Sequence, residues 1–229
     1  MYLPCYLKGD ASPPALFSDL ACVVNLLLYK KDGSVFKSDD RYGHTCYKVG
    51  AVWHSEGMFF DGADDYVHID DNPVLDNLLT IEAWYKPVME ISSGVSWHFI
   101  IGKNASWHHG IMQTYSYSPN RVYLEFQDSS AAVSGIYHHL TAADYPQWFH
   151  YVGMFNNNRA MVYVNGRFLG QGNVIADCSG GNNSYPLYIG GNGGTRGCYG
   201  FLGETRAYSR ALTAQEVSEL YLSTRWRYQ

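Results

Sequence analysis

Three acids crowd the stretch FFDGADDYVHI, Phe59 to Ile69: Asp61, Asp64 and Asp65 fall within five residues. Carboxylates at that density can do three things. They can gather the oxygens a calcium ion wants, together with backbone carbonyls. Two of them can act across a cleft on a glycosidic bond, provided one stays protonated at working pH. Or they can close a turn, because short acidic side chains bond back to their own backbone and Gly62 accepts a left-handed conformation. On that last reading Phe59, Tyr66, Val67 and Ile69 are strand residues on either side.

A second chemistry is carried by SWHHGIMQTYSYSP, Ser106 to Pro119. Trp107, Tyr115 and Tyr117 offer flat apolar faces, and His108 and Gln113 offer hydrogen-bond donors. That combination binds sugars, whose C–H patches stack on rings while their hydroxyls take directed bonds. The same rings equally suit a sandwich core or a subunit contact. The loop from Asp177 to Gly200, rich in Gly, Asn and Ser, adds Tyr185, Arg196 and Tyr199. Polar loops at the end of a sandwich are where binding usually resides.

The remaining reactive side chains point to less. Two adjacent histidine pairs, His108 with His109 and His138 with His139, should face opposite ways on a strand and so not share a metal. Cys5, Cys22, Cys46, Cys178 and Cys198 show no CxxC spacing, which argues against a zinc cage. Buried reduced thiols are expected, with a Cys178–Cys198 staple of about 3 kcal/mol as the alternative.

The elements that must position these residues are short β-like runs. TIEAWY from Thr80, HFIIG from His98, RVYLEF from Arg121, AMVYVNG from Ala160 and PLYIGG from Pro186 alternate or are apolar, and Gly- and Asn-rich turns bound them. Parallel sheets need long helical crossovers that this chain lacks, so the pattern predicts an all-β antiparallel sandwich. One helix is legible near the C-terminus: Thr213 and Glu216 form a capping box before the apolar stripe Leu212, Val217, Leu220 and Tyr221. Residues 1–21, broken by Pro4, Pro13 and Pro14, read as an N-terminal arm, and residues 22–229 as one domain.

Composition narrows the partners. The 229 residues are 46% hydrophobic and 16% aromatic with 20 tyrosines, so a core needs neither metal nor disulfide to form. Charged residues are only 16%, the net charge is -5, and no basic run exists, which argues against nucleic acid. The longest apolar stretch, Ala21 to Tyr29, is too short for membrane insertion. The opening MYLPCYLKGD has no positive segment followed by an apolar core, so no signal peptide is expected.

Taken in order, several phrases resemble the concanavalin A-like laminin G family: SDDRYGHT from Ser38, GAVW from Gly50, FDGADDYV from Phe60, TIEAWYKP from Thr80, QWFHYVG from Gln147, VYVNGR from Val162, LYIGG from Leu187 and GFLGETRAYSRALT from Gly200. The resemblance spans residues 22–222 and implies a two-sheet antiparallel jelly roll that binds glycans, proteins or surfaces and does no chemistry. It also implies a structural calcium ion, with Asp61, Asp64, Asp65 and Glu204 as ligands. Glu204 departs from the Asp that is usual there, the loop from Asp128 to Tyr145 looks long, and the arm has no counterpart. Glucanases of this fold carry E-x-D-x-(x)-E along one strand, and neither Glu82 nor Glu125 begins such a run, so catalysis is not expected.

Two function classes follow. The first is a non-enzymatic laminin G-like binding or adhesion domain, with a carbohydrate or cell-surface protein as partner. The alternative is a structural assembly protein, such as a virion decoration, spike or surface-fibre subunit, forming a homo-oligomer or larger array. Either setting is extracellular or on a virion surface.

Overall fold

All five predicted runs form strands in the computed structural model, which describes residues 19–30, 32–88, 98–103, 110–115, 121–193 and 197–229, with backbone alone at 98 and 110–115. In chain order the strands are β1 (Cys22–Leu27), β2 (Val35–Lys37), β3 (Thr45–Val49), β4 (Val52–His54), β5 (Gly57–Asp61), β6 (Tyr66–Ile69), β7 (Thr80–Pro87) and β8 (His98–Lys103). They continue as β9 (Gly110–Tyr115), β10 (Arg121–Gln127), β11 (Val133–His139), β12 (Phe149–Asn156), β13 (Arg159–Val164), β14 (Arg167–Gln171), β15 (Leu187–Ile189) and β16 (Tyr199–Tyr208). The expected arm lies outside the described residues except for Asp19–Ala21.

The strands make two sheets. The first runs β14-β13-β12-β7-β16-β5-β4, with β1 beside the second half of β16. The second runs β11-β10-β9-β8-β15-β6-β3-β2. Every pairing between named strands is antiparallel, and among the described residues one isolated parallel bridge joins Phe99 to Gly197. Within the stretch read as a long loop, Val133–His139 is instead strand β11, paired along β10 from Gln127–Val133 to Arg121–His139. Its sequence VSGIYHH lacks a clean apolar alternation, because Ser134 rather than a hydrophobe fills the buried position.

Period-two alternation puts one set of side chains between the sheets. Met58, Phe60, Ile81, Tyr151, Val162 and Leu202 meet Val67, Ile69, Ile101, Leu124, Leu187 and Ile189 there, all buried. Each such aliphatic side chain contributes about 1.5–3 kcal/mol. A smaller core lies on the outer face of the first sheet, where helix α1 (Ala214–Thr224) presses Val217 and Leu220 onto Val152, Met154, Tyr163 and Tyr208. Its start is the predicted capping box: Thr213 Oγ1 accepts the Glu216 N–H at 3.2 Å, and Glu216 Oε2 accepts the Thr213 N–H at 2.7 Å.

Candidate functional site

The turn from β5 to β6 carries the chain from one sheet to the other at an end of the sandwich, and it is built from the three acids. Asp61 Oδ1 accepts the Ala63 N–H at 2.9 Å, and Asp65 Oδ2 accepts the Asp61 N–H at 3.0 Å. Gly62 takes a φ of +83° at the bend. The turn chemistry expected from the sequence is therefore present. The carboxylates also converge, since one oxygen each from Asp61, Asp64 and Asp65 lies within 4.8 Å of the others. Asp61 and Asp64 are exposed and Asp65 is buried.

Asp65 is held tightly. Gly50, at φ +70°, leaves the space its carboxylate fills, because a Cβ there would come within 1.8 Å of Asp65 Oδ1. Burial pushes the Asp65 carboxyl above its usual range, and the neighbouring Asp61 and Asp64 push the same way. A cation beside the three would reverse that direction.

Glu204 stands elsewhere. On β16 it pairs with Leu27 of β1, and its two oxygens meet the Arg206 guanidinium and the Tyr29 hydroxyl, the latter at 3.1 Å. Its carboxylate is therefore not one of the cluster formed by the three aspartates. Arg206 in turn donates to Glu82 Oε1 at 2.7 Å, and the His150 Nε2 lies 3.0 Å from the same oxygen. Glu82, His150 and Arg206 are buried on the outer face of the first sheet, beneath the C-terminal residues. Burial alone would raise the Glu82 carboxyl, but Arg206 and His150 outweigh it and hold it below the ordinary range. A group kept ionised and sealed in this way is unsuited to donating a proton to a glycosidic oxygen.

On the outer face of the second sheet a different feature appears. Tyr47 on β3, His68 on β6 and Tyr188 on β15 sit opposite one another across three adjacent strands. The Tyr47 and His68 rings stack at 5.0 Å between centres, and Tyr188 lies 6.1 Å from His68. Tyr66, two residues before His68 and so on the same face, meets Tyr188 edge-on at 5.8 Å. All four are half-buried. The rings form a shelf that begins immediately after Asp65. His68 is tied at one end, its Nε2 lying 3.5 Å from Asp70.

The sequence-level sugar candidates fall in several places. Trp107, His108, Tyr117 and Arg196 lie outside the described residues, and Gln113 and Tyr115 are described by their backbone in β9 only. Tyr199 opens β16 opposite Asp61 and packs against Phe59 at 6.0 Å, on the outer face of the first sheet. Tyr185 is exposed just ahead of β15 in the second. Tyr199 therefore belongs to the first sheet, while Tyr185 leads into the second. The shelf itself was missed, although Tyr66-x-His68 was readable as one face of a strand.

Other expectations resolve directly. His138 Nδ1 lies 2.9 Å from the Tyr151 hydroxyl in the core while His139 is exposed, so this pair does face opposite ways. Cys178 and Cys198 are both free, so the alternative of a staple between them is not realised. Burial pushes the Cys178 thiol up to about 11 and Cys22 to about 12, which keeps both unreactive. No helix among the described residues is long and apolar enough to cross a membrane.

Residues 61–218 match a laminin G family model of the concanavalin A-like lectin/glucanases superfamily. The chain belongs to that superfamily. Solved structures agree on the fold. The binding domain of Paraclostridial Mosquitocidal Protein 1 superposes with a TM-score of 0.68 at 16% identity, over 89% of this chain and 52% of that one. The botulinum neurotoxin serotype G binding domain gives 0.69 at 14% identity, over 89% and 51%. The serotype D binding domain gives 0.67 at 11% identity, over 89% and 52%. The chain thus spans about half the length of these structures. No curated protein sequence matches it.

Proposed function

We propose that this chain is a non-enzymatic recognition domain that binds a glycan on the Tyr47–His68–Tyr188 shelf, with Tyr66 as its flanking ring. The observation that carries the reading is the alignment of aromatic side chains across three neighbouring strands, half-buried and therefore rigid, beside a polar turn. Rings held this way offer stacking area at small entropic cost, and the Tyr hydroxyls and His68 supply directed bonds. Tyr185 extends the shelf on this reading, and the sequence-level candidates Trp107, His108, Gln113, Tyr115, Tyr117 and Arg196 are offered as additions to it; Tyr199, on the first sheet, is not part of it. The similar folds of binding domains named above support recognition over catalysis, as does the sealed state of Glu82. An extracellular or virion-surface setting follows from the same reading.

A glycan array probed with wild type and Tyr188→Ala tests it. At least a tenfold loss of signal is expected with unfolding temperature nearly unchanged; an unaltered array profile rejects the shelf. Calcium is proposed at Asp61, Asp64 and Asp65, where it would stiffen the turn that begins the shelf. Heat on titration with calcium, lost in Asp64→Asn, is the expected result, and a melting temperature indifferent to chelator would oppose it.

A second reading, assembly into a larger array, is favoured by the sheet edges. β14 at one edge exposes Phe168 and Leu169, and β2 and β4 at other edges expose Val35 and Val52. Exposed edges with apolar side chains are ready pairing surfaces. Light scattering on the purified chain decides: a clean monomer at high concentration removes this reading.

A further inference from the structure

Away from the shelf, a recess of about 550 Å³ opens between β1, β16 and the residues after α1. At its mouth the Arg227 guanidinium is flanked by two rings, 3.9 Å from the centre of Tyr29 and 4.4 Å from that of Trp226. Arg227 Nε forms an ion pair with Glu204 Oε1 at 3.5 Å without a hydrogen bond, so Glu204 takes up part of its charge from one side. Stacking from two rings fixes the plane of the fork while leaving its edge without a hydrogen-bond acceptor among the described residues. Trp226 is 68% exposed, an unusual state for so large a ring.

The floor shows a second, independent sign of a ligand. Asn25 lines the recess with only 8% exposure, and its side-chain oxygen has no hydrogen-bond partner among the described residues. Its backbone N–H donates to Asp40 at 3.0 Å, which leaves the side-chain oxygen as the polar group still to be satisfied. A buried acceptor without a donor costs about 1–3 kcal/mol, and a ligand hydroxyl would restore that. Among the described residues, the charges lining the recess are Lys30, Arg206 and Arg227 against Asp39 and Glu204. Arg206 hydrogen-bonds both Glu82 and Glu204, whereas Arg227 has only its ion pair with Glu204, so Arg227 and Lys30 are the described cations with donors left for a ligand.

We infer that this recess is a binding site for a sugar acid, the carboxylate of a saccharide pairing with the edge of Arg227. A planar two-oxygen anion matches a guanidinium fork, and the volume falls in the range of small-molecule sites. A sugar hydroxyl donates to Asn25, and the exposed indole of Trp226 covers a ring face. The site shares with the proposed function only the glycan class; it lies on the other sheet and uses none of the shelf residues.

Calorimetric titration with glucuronate, and with glucose at the same concentrations, tests the inference. Wild type binds glucuronate at least tenfold more tightly than glucose. Arg227→Gln abolishes that preference, Arg227→Lys keeps the charge but loses the fork and weakens glucuronate about tenfold, and Asn25→Ala weakens both sugars. Tyr188→Ala leaves glucuronate binding untouched, so failure of the shelf and failure of this site are read separately. Equal affinity for the two sugars, or glucuronate binding that survives Arg227→Gln, overturns the proposal. Should Arg227→Gln not fold, the Arg227→Lys and Asn25→Ala titrations decide instead: undiminished glucuronate binding in both overturns it.

Discussion

The outer faces of the two sheets began from the same rule, alternate residues pointing away from the core, and were put to opposite uses. On the first sheet those positions hold Glu82, His150, Glu204 and Arg206, buried and mutually paired. Above them Tyr228 stacks on Trp84 at 4.3 Å, and its hydroxyl accepts the Glu204 N–H at 2.8 Å. On the second sheet the corresponding positions hold Tyr47, Tyr66, His68 and Tyr188, half-buried. Glu82 and Glu204 are taken up in that pairing on the first sheet, while the rings on the second stay half-exposed. Accessibility therefore separates the two faces where reactive side-chain type alone does not.

The hardest blow to that contrast is aimed at the sealed face. Arg206→Met strips the guanidinium from two buried carboxylates at once and is expected to cost about 3–5 kcal/mol, read by urea unfolding at neutral pH. Ligand binding at the Tyr188 shelf should survive wherever the variant is folded. A loss below about 1 kcal/mol would mean that the network is wetter than its burial implies, and the contrast between the faces would blur.

Next in size is the carboxyl of Glu125 on β10. Burial pushes it up to about 8, against a smaller downward pull from its hydrogen bond with Tyr123. Its folded pKa lies above the unfolded value of about 4.3, so the native state binds the extra proton between the two. The stability this group contributes is therefore full below about pH 4 and is lost as pH rises from there through 8. Glu125→Gln should flatten that fall in unfolding curves taken from pH 4 to 9. A wild-type curve that rises across the window instead would show that Glu125 is held ionised in the folded state, as Glu82 is.

The shelf should respond the other way, through binding more than stability. Tyr66→Ala removes one cross-strand ring contact, costing about 1 kcal/mol in unfolding. The proposed glycan should lose about tenfold in affinity in the same variant. If unfolding moves by several kcal/mol while binding holds, the rings are packing and the accessible face is not the recognising one.

How much of this contrast could be read beforehand depends on sequence distance. The helix box at Thr213 and Glu216 and the turn at Asp61 to Asp65 are local, so residue type and spacing sufficed. Glu204 and Arg206 stand two apart on one strand and thus share a face, a signal that could have separated Glu204 from the aspartates. Glu82, the other partner of Arg206, could not be found that way, because that contact spans 124 positions. The shelf has the same limit: Tyr66 and His68 were legible as neighbours, but Tyr47 and Tyr188 join them only through the register of β3, β6 and β15. Strand β11 was lost because Ser134 fills a core position by bonding, its hydroxyl accepting the Ala160 N–H at 2.8 Å.

The smallest effect tests whether the cover over the first sheet is itself replaceable. Thr213→Ala removes the cap of α1 and should cost about 1 kcal/mol. Glu216, the other half of the box, is bonded to Arg210, which holds its carboxyl down at about 2. That depressed group contributes stability above its unfolded pKa of about 4.3, lost as pH falls toward 2, so Glu216→Gln should weaken the protein at pH 7 and not at pH 2. Both changes loosen the helix that seats Leu220 over Tyr208 without touching a single ring of the shelf. Faster amide exchange in β12 and β16, with none in β6 and β15, would show that the two faces open independently. Equal acceleration in all four would show instead that covering one sheet also holds the other in place.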